Sequence, residues 1–172
     1  MRRSPKDVYL RFIEFEEKAA AIYLKLASHF SSRDRKLGAL WLDMAMEEKQ
    51  HAGLLQFCVA ERIFSPKLPS DADVKKFAAL FRKAEKQAAN PSISVNEAFN
   101  LAAELEGSEV NAIYSYLTSP LHASIYLLKR KIVAAPSKHI DHLVTAGKLF
   151  NVSAATVKKL ESLKQASPNR WF

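Results

Sequence analysis

Glutamates fall within the apolar stripes of three predicted helices. Successive residues are about 100° apart on a helix, and each of these glutamates shares its face with alanines, aliphatic residues and aromatic residues. They are Glu16, Glu48 and Glu106. Burying one ionised carboxylate without a partner costs several kcal/mol, so three would rival a domain's whole stability of about 5–15 kcal/mol. A cation must therefore neutralise them, and no Lys or Arg occupies the stripes at that level.

Histidines accompany these glutamates at a spacing of one helical turn. His51 follows Glu48 by three residues, and on a fourth predicted helix His139 lies on the apolar stripe with His142 three residues later. Residues three apart share one helix face, so each pair can reach one metal ion. Glutamate oxygens with neutral imidazole nitrogens suit iron or manganese and also accept zinc. A single Glu-x-x-His motif is weak evidence, whereas four helices that agree in phase favour a buried metal centre.

Capping and breaking residues divide the chain into six predicted helices. Ala, Leu, Lys and Glu dominate and only four glycines occur, which is typical of an all-α protein with almost no strand. Ser-Pro, Ser-Ser and Asn-Pro pairs mark the boundaries. The helices are predicted over about 4–30, 33–64, 71–89, 94–117, 119–149 and 153–166. Pro136 should kink or split the fifth helix, because proline lacks an N–H and clashes with the preceding turn.

The chain also contains two similar helical hairpins. The tripeptide Ala-Ile-Tyr at 21–23 recurs at 112–114, and Glu48 corresponds to His139, in both cases 91 residues later. A shared offset indicates internal duplication. We therefore predict a four-helix bundle over 1–150, with an extra connecting helix between its second and third helices. A short C-terminal helix and tail follow over 151–172.

The composition limits the cellular compartment and the binding partners that can be expected of the protein. The single cysteine excludes an internal disulfide and any four-cysteine metal site within one chain. With no secretory signal pattern and no run of 18 apolar residues, the sequence predicts a soluble cytoplasmic protein without a membrane role. The net charge of +8 is concentrated in 129–172, which leaves open a solvated face or a nucleic-acid contact. Leu42, Met46 and Phe57 lie off the apolar stripe of the second helix and favour a homodimer.

Residues 8–150 resemble the rubrerythrin branch of the ferritin-like superfamily of di-iron carboxylate proteins. Such bundles take one glutamate from each of two helices and a Glu-x-x-His pair from each of the other two. The matching residues are Glu16, Tyr23, Glu48, His51, Glu106, Glu109, Tyr114 and His142. The resemblance implies that the glutamates and histidines bind two irons and that Tyr23 and Tyr114 lie beside them. It also implies that Glu109 exchanges with a histidine ligand as the redox state changes.

By this resemblance, the activity would be reduction of hydrogen peroxide or oxidation of ferrous iron, with peroxide or O2 as the small oxidant. The rubredoxin-type module of full rubrerythrins is absent, so electrons would come from a separate donor protein. The predicted metal ligands are Glu16, Glu48, His51, Glu106, Glu109, His139 and His142.

His139 is the main departure from the family pattern. It stands where the family has a glutamate that helps to hold both metals, and a neutral imidazole binds only one. His139 is therefore either a ligand or a core histidine that hydrogen-bonds Glu48 or Glu106. Two irons, one ion, manganese, or zinc without redox chemistry all remain open. So does a non-redox storage, structural or DNA-associating protein with a degenerate metal site.

Overall fold

The computed structural model describes the backbone of residues 4–117 and 139–166 and the side chains of 4–108 and 139–163. These residues form six helical segments and no strand, which confirms the all-α class. The helices are α1 (Pro5–Ser31), α2 (Arg35–Ala60), α3 (Asp71–Ala88), α4 (Val95–Leu117), α5 (139–149) and α6 (Ala154–Ala166). Pro136 and the rest of the predicted helix over 119–149 lie outside the described residues. None of the helices described combines the length and the apolar character that crossing a bilayer requires.

Capping boxes begin three of these helices. In each, a serine hydroxyl accepts a hydrogen bond from the backbone N–H three residues on, and the acidic side chain there accepts one from the serine N–H. The pairs are Ser4–Asp7 for α1, Ser70–Asp73 for α3 and Ser94–Glu97 for α4. The predicted starts of these helices are confirmed, because the capping residues that the sequence displays do form these bonds.

A left-handed residue follows the end of two helices, α2 and α5. Arg62 has a φ of 56° and Asn151 a φ of 52°, a region that a right-handed helix cannot use. The next amides close the motif, because Ile63 N donates to the Cys58 carbonyl at 2.8 Å and Val152 N to the Gly147 carbonyl at 2.9 Å. As a result, α2 ends at Ala60 rather than near 64 as predicted.

The described residues divide into two compact units, with the boundary after Pro91. In the first unit, α1 and α2 form a helical hairpin and α3 packs on α1. Phe15 stacks on Phe81 with ring centroids 5.1 Å apart, and Phe77 lies 6.4 Å from Phe12. The predicted connecting helix therefore covers a second face of α1. This contact explains why Phe15 is buried although it lies off the predicted stripe.

In the second unit, α6 packs on α4. The Asn96 side-chain carbonyl accepts hydrogen bonds from Ser153 N and from the Thr156 hydroxyl, each at 3.1 Å. About three turns of α4 further on, Gly107 faces Leu163, whose Cδ2 would lie 3.2 Å from an added Cβ. Ser153 accepts a hydrogen bond from Thr156 N at 3.3 Å, which confirms it as the predicted cap of the C-terminal helix.

The two units share several features. In each, a capping box begins a long helix, a helix carries a buried glutamate, and a third helix packs on the first. The predicted duplication of the two hairpins stays a prediction. The predicted four-helix bundle over 1–150, with 151–172 set apart, stays a prediction.

Candidate metal-binding residues

The first unit buries one glutamate on each helix of its hairpin. Glu16 on α1 is 2% exposed and Glu48 on α2 is 0% exposed. Both lie on helix faces made of small and aromatic residues, so water is excluded from the carboxylates. The buried residues on these faces include Phe12, Ala19, Ala20, Tyr23, Trp41, Met44, Ala45 and Ala52.

His51 joins these two carboxylates from one turn further along α2. Its Nδ1 lies 3.1 Å from Glu48 Oε2 and 3.8 Å from Glu16 Oε2, and its side chain is 10% exposed. The Lys49–Glu17 ion pair joins the two helices at the same level. Carboxylate oxygens from both helices of the hairpin therefore lie 3.1 and 3.8 Å from one imidazole nitrogen.

His51 is held in its charged form by its neighbours. Burial by itself lowers the pKa of an imidazole, but interactions with Glu16 and Glu48 outweigh this and raise the pKa of His51 to about 10. At 3.8 Å the contribution of Glu16 is electrostatic rather than a formed hydrogen bond. Without a metal, the imidazolium therefore supplies the positive charge that the two carboxylates require at neutral pH.

One carboxylate oxygen of this group is not satisfied by that arrangement. Glu16 Oε2 is buried and has no hydrogen-bond partner among the residues that the structure describes. Buried carboxylate oxygens normally accept hydrogen bonds or bind cations. An oxygen–nitrogen donor set of this kind is compatible with iron, manganese or zinc, and a bound ion would use the oxygen that is not hydrogen-bonded.

The second unit contains its own buried pair. Glu106 on α4 and His139 on α5 are each 1% exposed, and His139 Nδ1 lies 3.6 Å from Glu106 Oε2. Of the alternatives that the sequence left open for His139, this distance agrees with a core histidine paired with Glu106. It agrees equally with a nitrogen ligand beside a carboxylate ligand.

The remaining predicted site residues are placed differently. His142 is exposed on α5, and the structure does not bring it to the buried pair. Residues three apart differ by about 60° around a helix, and Ile140 and Leu143 occupy the buried face beside His139 instead. Tyr23 is fully buried and stacks on Trp41 with ring centroids 5.9 Å apart. This stacking partner was not foreseen from the sequence.

Two predicted site residues, Glu109 and Tyr114, belong to α4 by their backbone. Their side chains lie outside the described residues, so their predicted roles stay predictions.

Comparison of the chain with protein-family models, with curated proteins and with solved structures gave no match. The chain is an all-helical protein with a buried glutamate–histidine cluster that is compatible with metal binding.

Proposed function

We propose that this chain is a rubrerythrin-like metal-binding protein whose buried carboxylates and histidines hold iron for reaction with peroxide or O2. One observation carries the proposal. Glu16 and Glu48, almost fully buried, converge on His51, and Glu16 Oε2 has no hydrogen-bond partner in the described part of the chain. Such an arrangement is costly without a cation, and two carboxylates with one imidazole make a favourable ligand set for a divalent one.

Each unit contributes ligands in this proposal. In the first unit, Glu16, Glu48 and His51 would hold a metal ion, and in the second unit Glu106 and His139 are the candidate ligands. Iron, when bound, would supply one-electron exchange between its ferrous and ferric states. The protein's own contribution is to fix the donor atoms, to exclude water and to release the His51 proton. The number of ions per chain, predicted as two, is measured directly by metal analysis.

A non-redox metal-binding role is the second candidate. The exposure of His142 favours it, because one ligand of the rubrerythrin pattern is then missing from the buried group. The replacement of a glutamate by His139 removes a further carboxylate. A centre with fewer carboxylates stabilises ferric iron less well, so zinc or a single iron without turnover would fit this candidate.

The first test measures metal content and peroxide consumption in matched variants. The chain is produced with iron and purified without oxygen, as wild type, as Glu16→Gln and as Glu14→Gln. Glu14 is half exposed on the same helix and pairs with Arg11, so it controls for the loss of one negative charge. We expect Glu16→Gln to lose most of the bound iron, by about tenfold or more in affinity, and Glu14→Gln to retain it.

The outcomes separate the two candidates. Iron retention with peroxide consumption supports the oxidoreductase. Metal retention without consumption supports the non-redox role. A wild-type protein that retains no transition metal would contradict both.

A further inference from the structure

The basic residues of α3 all lie on the side of the helix that faces solvent. On a helix with about 3.6 residues per turn, Lys75, Arg82 and Lys86 fall within about 40° of one another, and Lys76 and Lys83 follow about 90° further round. All of them are exposed. The buried residues of α3 lie on the opposite side of the helix, and they are Val74, Phe81, Ala84 and Ala88. We refer to the five basic residues as the basic face of α3.

The acidic residues of α3 lie outside the basic face. Its two aspartates are in the first turn, before the basic residues begin. Glu85 lies on the side toward α1, where its carboxylate is 3.4 Å from the Lys18 ammonium group. Among the residues that the structure describes, Lys75, Arg82 and Lys86 take part in no ion pair. The basic face therefore presents positive charge that no carboxylate of α3 offsets.

The basic face has the dimensions of a groove of double-stranded DNA. It extends from Lys75 to Lys86, which is about 16 Å of helix, and an α-helix with its side chains is about 10–12 Å across. The major groove of B-DNA is about 12 Å wide. A duplex carries one negative charge for about every 1.7 Å of its axis, so about ten phosphate charges lie along that length. Phosphates therefore outnumber the basic side chains by about two to one.

We propose that the basic face of α3 binds the phosphate backbone of double-stranded nucleic acid. In this arrangement α3 lies along a groove. The row of Lys75, Arg82 and Lys86 contacts one strand, and Lys76 and Lys83 contact the other. Neutralising phosphates with lysine and arginine releases the counterions bound to the duplex, which favours binding at low salt.

Two features of α3 favour this partner over other anionic ones. No large apolar side chain of α3 is exposed, whereas helices that bind a lipid surface bury such side chains in the membrane. The two aromatic residues of α3, Phe77 and Phe81, both contact Phe15 of α1. Neither ring is therefore available to stack on unpaired bases, as binding of a single strand requires.

The basic face of α3 is separate from residues 129–172, where most of the net positive charge lies. It is also separate from the candidate metal ligands, since α3 contributes none of them. Binding of a duplex should thus be equal with and without a chelator. A failure of this proposal would leave the metal-binding proposal standing, and the reverse also holds.

Fluorescence anisotropy of a labelled DNA duplex of about 20 base pairs, titrated with the full chain, tests the proposal. Three to five phosphate contacts predict a slope of about −3 to −4.5 for the logarithm of the binding constant against the logarithm of salt concentration. The variant Lys75→Gln, Arg82→Gln, Lys86→Gln removes three contacts. It should reduce the size of this slope by about 2.7 and weaken binding by about 100-fold or more at about 50 mM salt. Glutamine forms helix about as well as lysine and arginine, so α3 should stay folded.

A matched control removes the same charge from the second unit. The variant Lys148→Gln, Lys158→Gln, Lys159→Gln neutralises three exposed lysines of the basic C-terminal stretch. It should change the affinity by less than about threefold, because these residues lie outside the proposed contact. Far-ultraviolet circular dichroism and metal content, measured on both variants, show whether the fold is retained.

Three results would overturn the proposal. The first is a wild type that does not bind the duplex at about 50 mM salt. The second is an α3 variant that is folded and binds as tightly as wild type, or a loss of binding in the control variant instead. The third is tighter binding to phosphatidylserine vesicles than to the duplex, lost in the α3 variant, because the basic face would then serve a membrane surface.

Discussion

His51 is subject to two opposing effects. Burial favours the neutral imidazole, whereas Glu16 and Glu48 favour the imidazolium and raise its pKa to about 10. A metal ligand must be neutral, so binding of a divalent cation replaces the proton with a larger positive charge. The same group can thus be stable without metal and still be preorganised for it.

The stability of the metal-free protein should fall as pH rises from about 6.5 to 10. An unfolded histidine has a pKa near 6.5, whereas folded His51 has a pKa of about 10. Between these values the folded state holds one proton more than the unfolded state, so unfolding becomes easier with rising pH. Urea unfolding in a chelator, at several pH values, measures this effect. His51→Gln removes the group and should show a shallower dependence. Equal slopes in the two proteins would contradict the assigned pKa.

The sequence correctly predicts which glutamates are buried, but it does not predict which histidines are buried. Glu16, Glu48 and Glu106 were found because each interrupts an apolar stripe, and all three are buried. The sequence does not show which of His139 and His142 is buried, because the two differ by only about 60° around the helix and either could face inward. Which one is buried depends on what packs against α5, and a single helix pattern does not contain that information.

At the scale of elements, the predicted helix boundaries agree closely with the structure except at the end of α2. Serine and an acidic residue at fixed spacing indicate a capping box at a helix start. The end of α2 depends instead on a left-handed residue, Arg62, at a position that is usually glycine. Because arginine occupies that position, the sequence does not indicate where α2 ends. The sequence pattern also does not predict that α3 packs on α1, because an amphipathic helix does not specify its partner.

Two glycines of α2 should respond in opposite ways to alanine. A Cβ on Gly38 would lie 2.8 Å from the Ser31 Cα of α1, whereas a Cβ on Gly53 would meet nothing within 4 Å. Gly38→Ala should therefore lower the free energy of unfolding by about 1–3 kcal/mol through overpacking. Gly53→Ala should raise it by about 0.5–1 kcal/mol, since alanine is the better helix former. Urea unfolding of both variants is the measurement, and a loss of stability in Gly53→Ala would contradict the packing described.

Asn96 should be needed for docking of α6. Its side-chain oxygen accepts two hydrogen bonds from the start of that helix, at Ser153 and Thr156. Asn96→Ala should cost about 1–2 kcal/mol, because the buried Thr156 loses a partner, and should speed amide hydrogen exchange in α6. Asn100→Ala, whose side chain bonds only within α4 among the described residues, is the control. Similar exchange of α6 in both variants would show that Asn96 does not hold it.

At the scale of the whole molecule, the two units differ in their buried acidic and histidine residues. The first unit has two buried carboxylates close to one histidine, and the second has one buried carboxylate close to one histidine. The position that holds Glu48 in the first unit holds His139 in the second. Because the first unit has more negative charge for each histidine, we expect it to bind a cation more tightly than the second.

The buried glutamates do not account for the net charge of +8, because they are acidic. It comes largely from residues 129–172, with nine basic residues against two acidic ones. In the described part of that stretch, Lys148 pairs with Glu161 at 2.8 Å and Lys159 with Glu104 at 3.9 Å, all partly exposed. Such surface pairs contribute little stability. A solvated face and a nucleic-acid contact both stay open for this stretch, as they do from the sequence.

The most direct test of the central claim is X-ray diffraction from crystals grown with ferrous iron or zinc, measured at the absorption edge of that metal. We expect an anomalous peak about 2.0–2.3 Å from carboxylate oxygens of Glu16 and Glu48 and from a nitrogen of His51. We also expect His51 to have given up its hydrogen bond to Glu48. Crystals that contain no peak there, with the histidine still paired to Glu48 as in the metal-free arrangement, would contradict the claim that these buried residues are metal ligands.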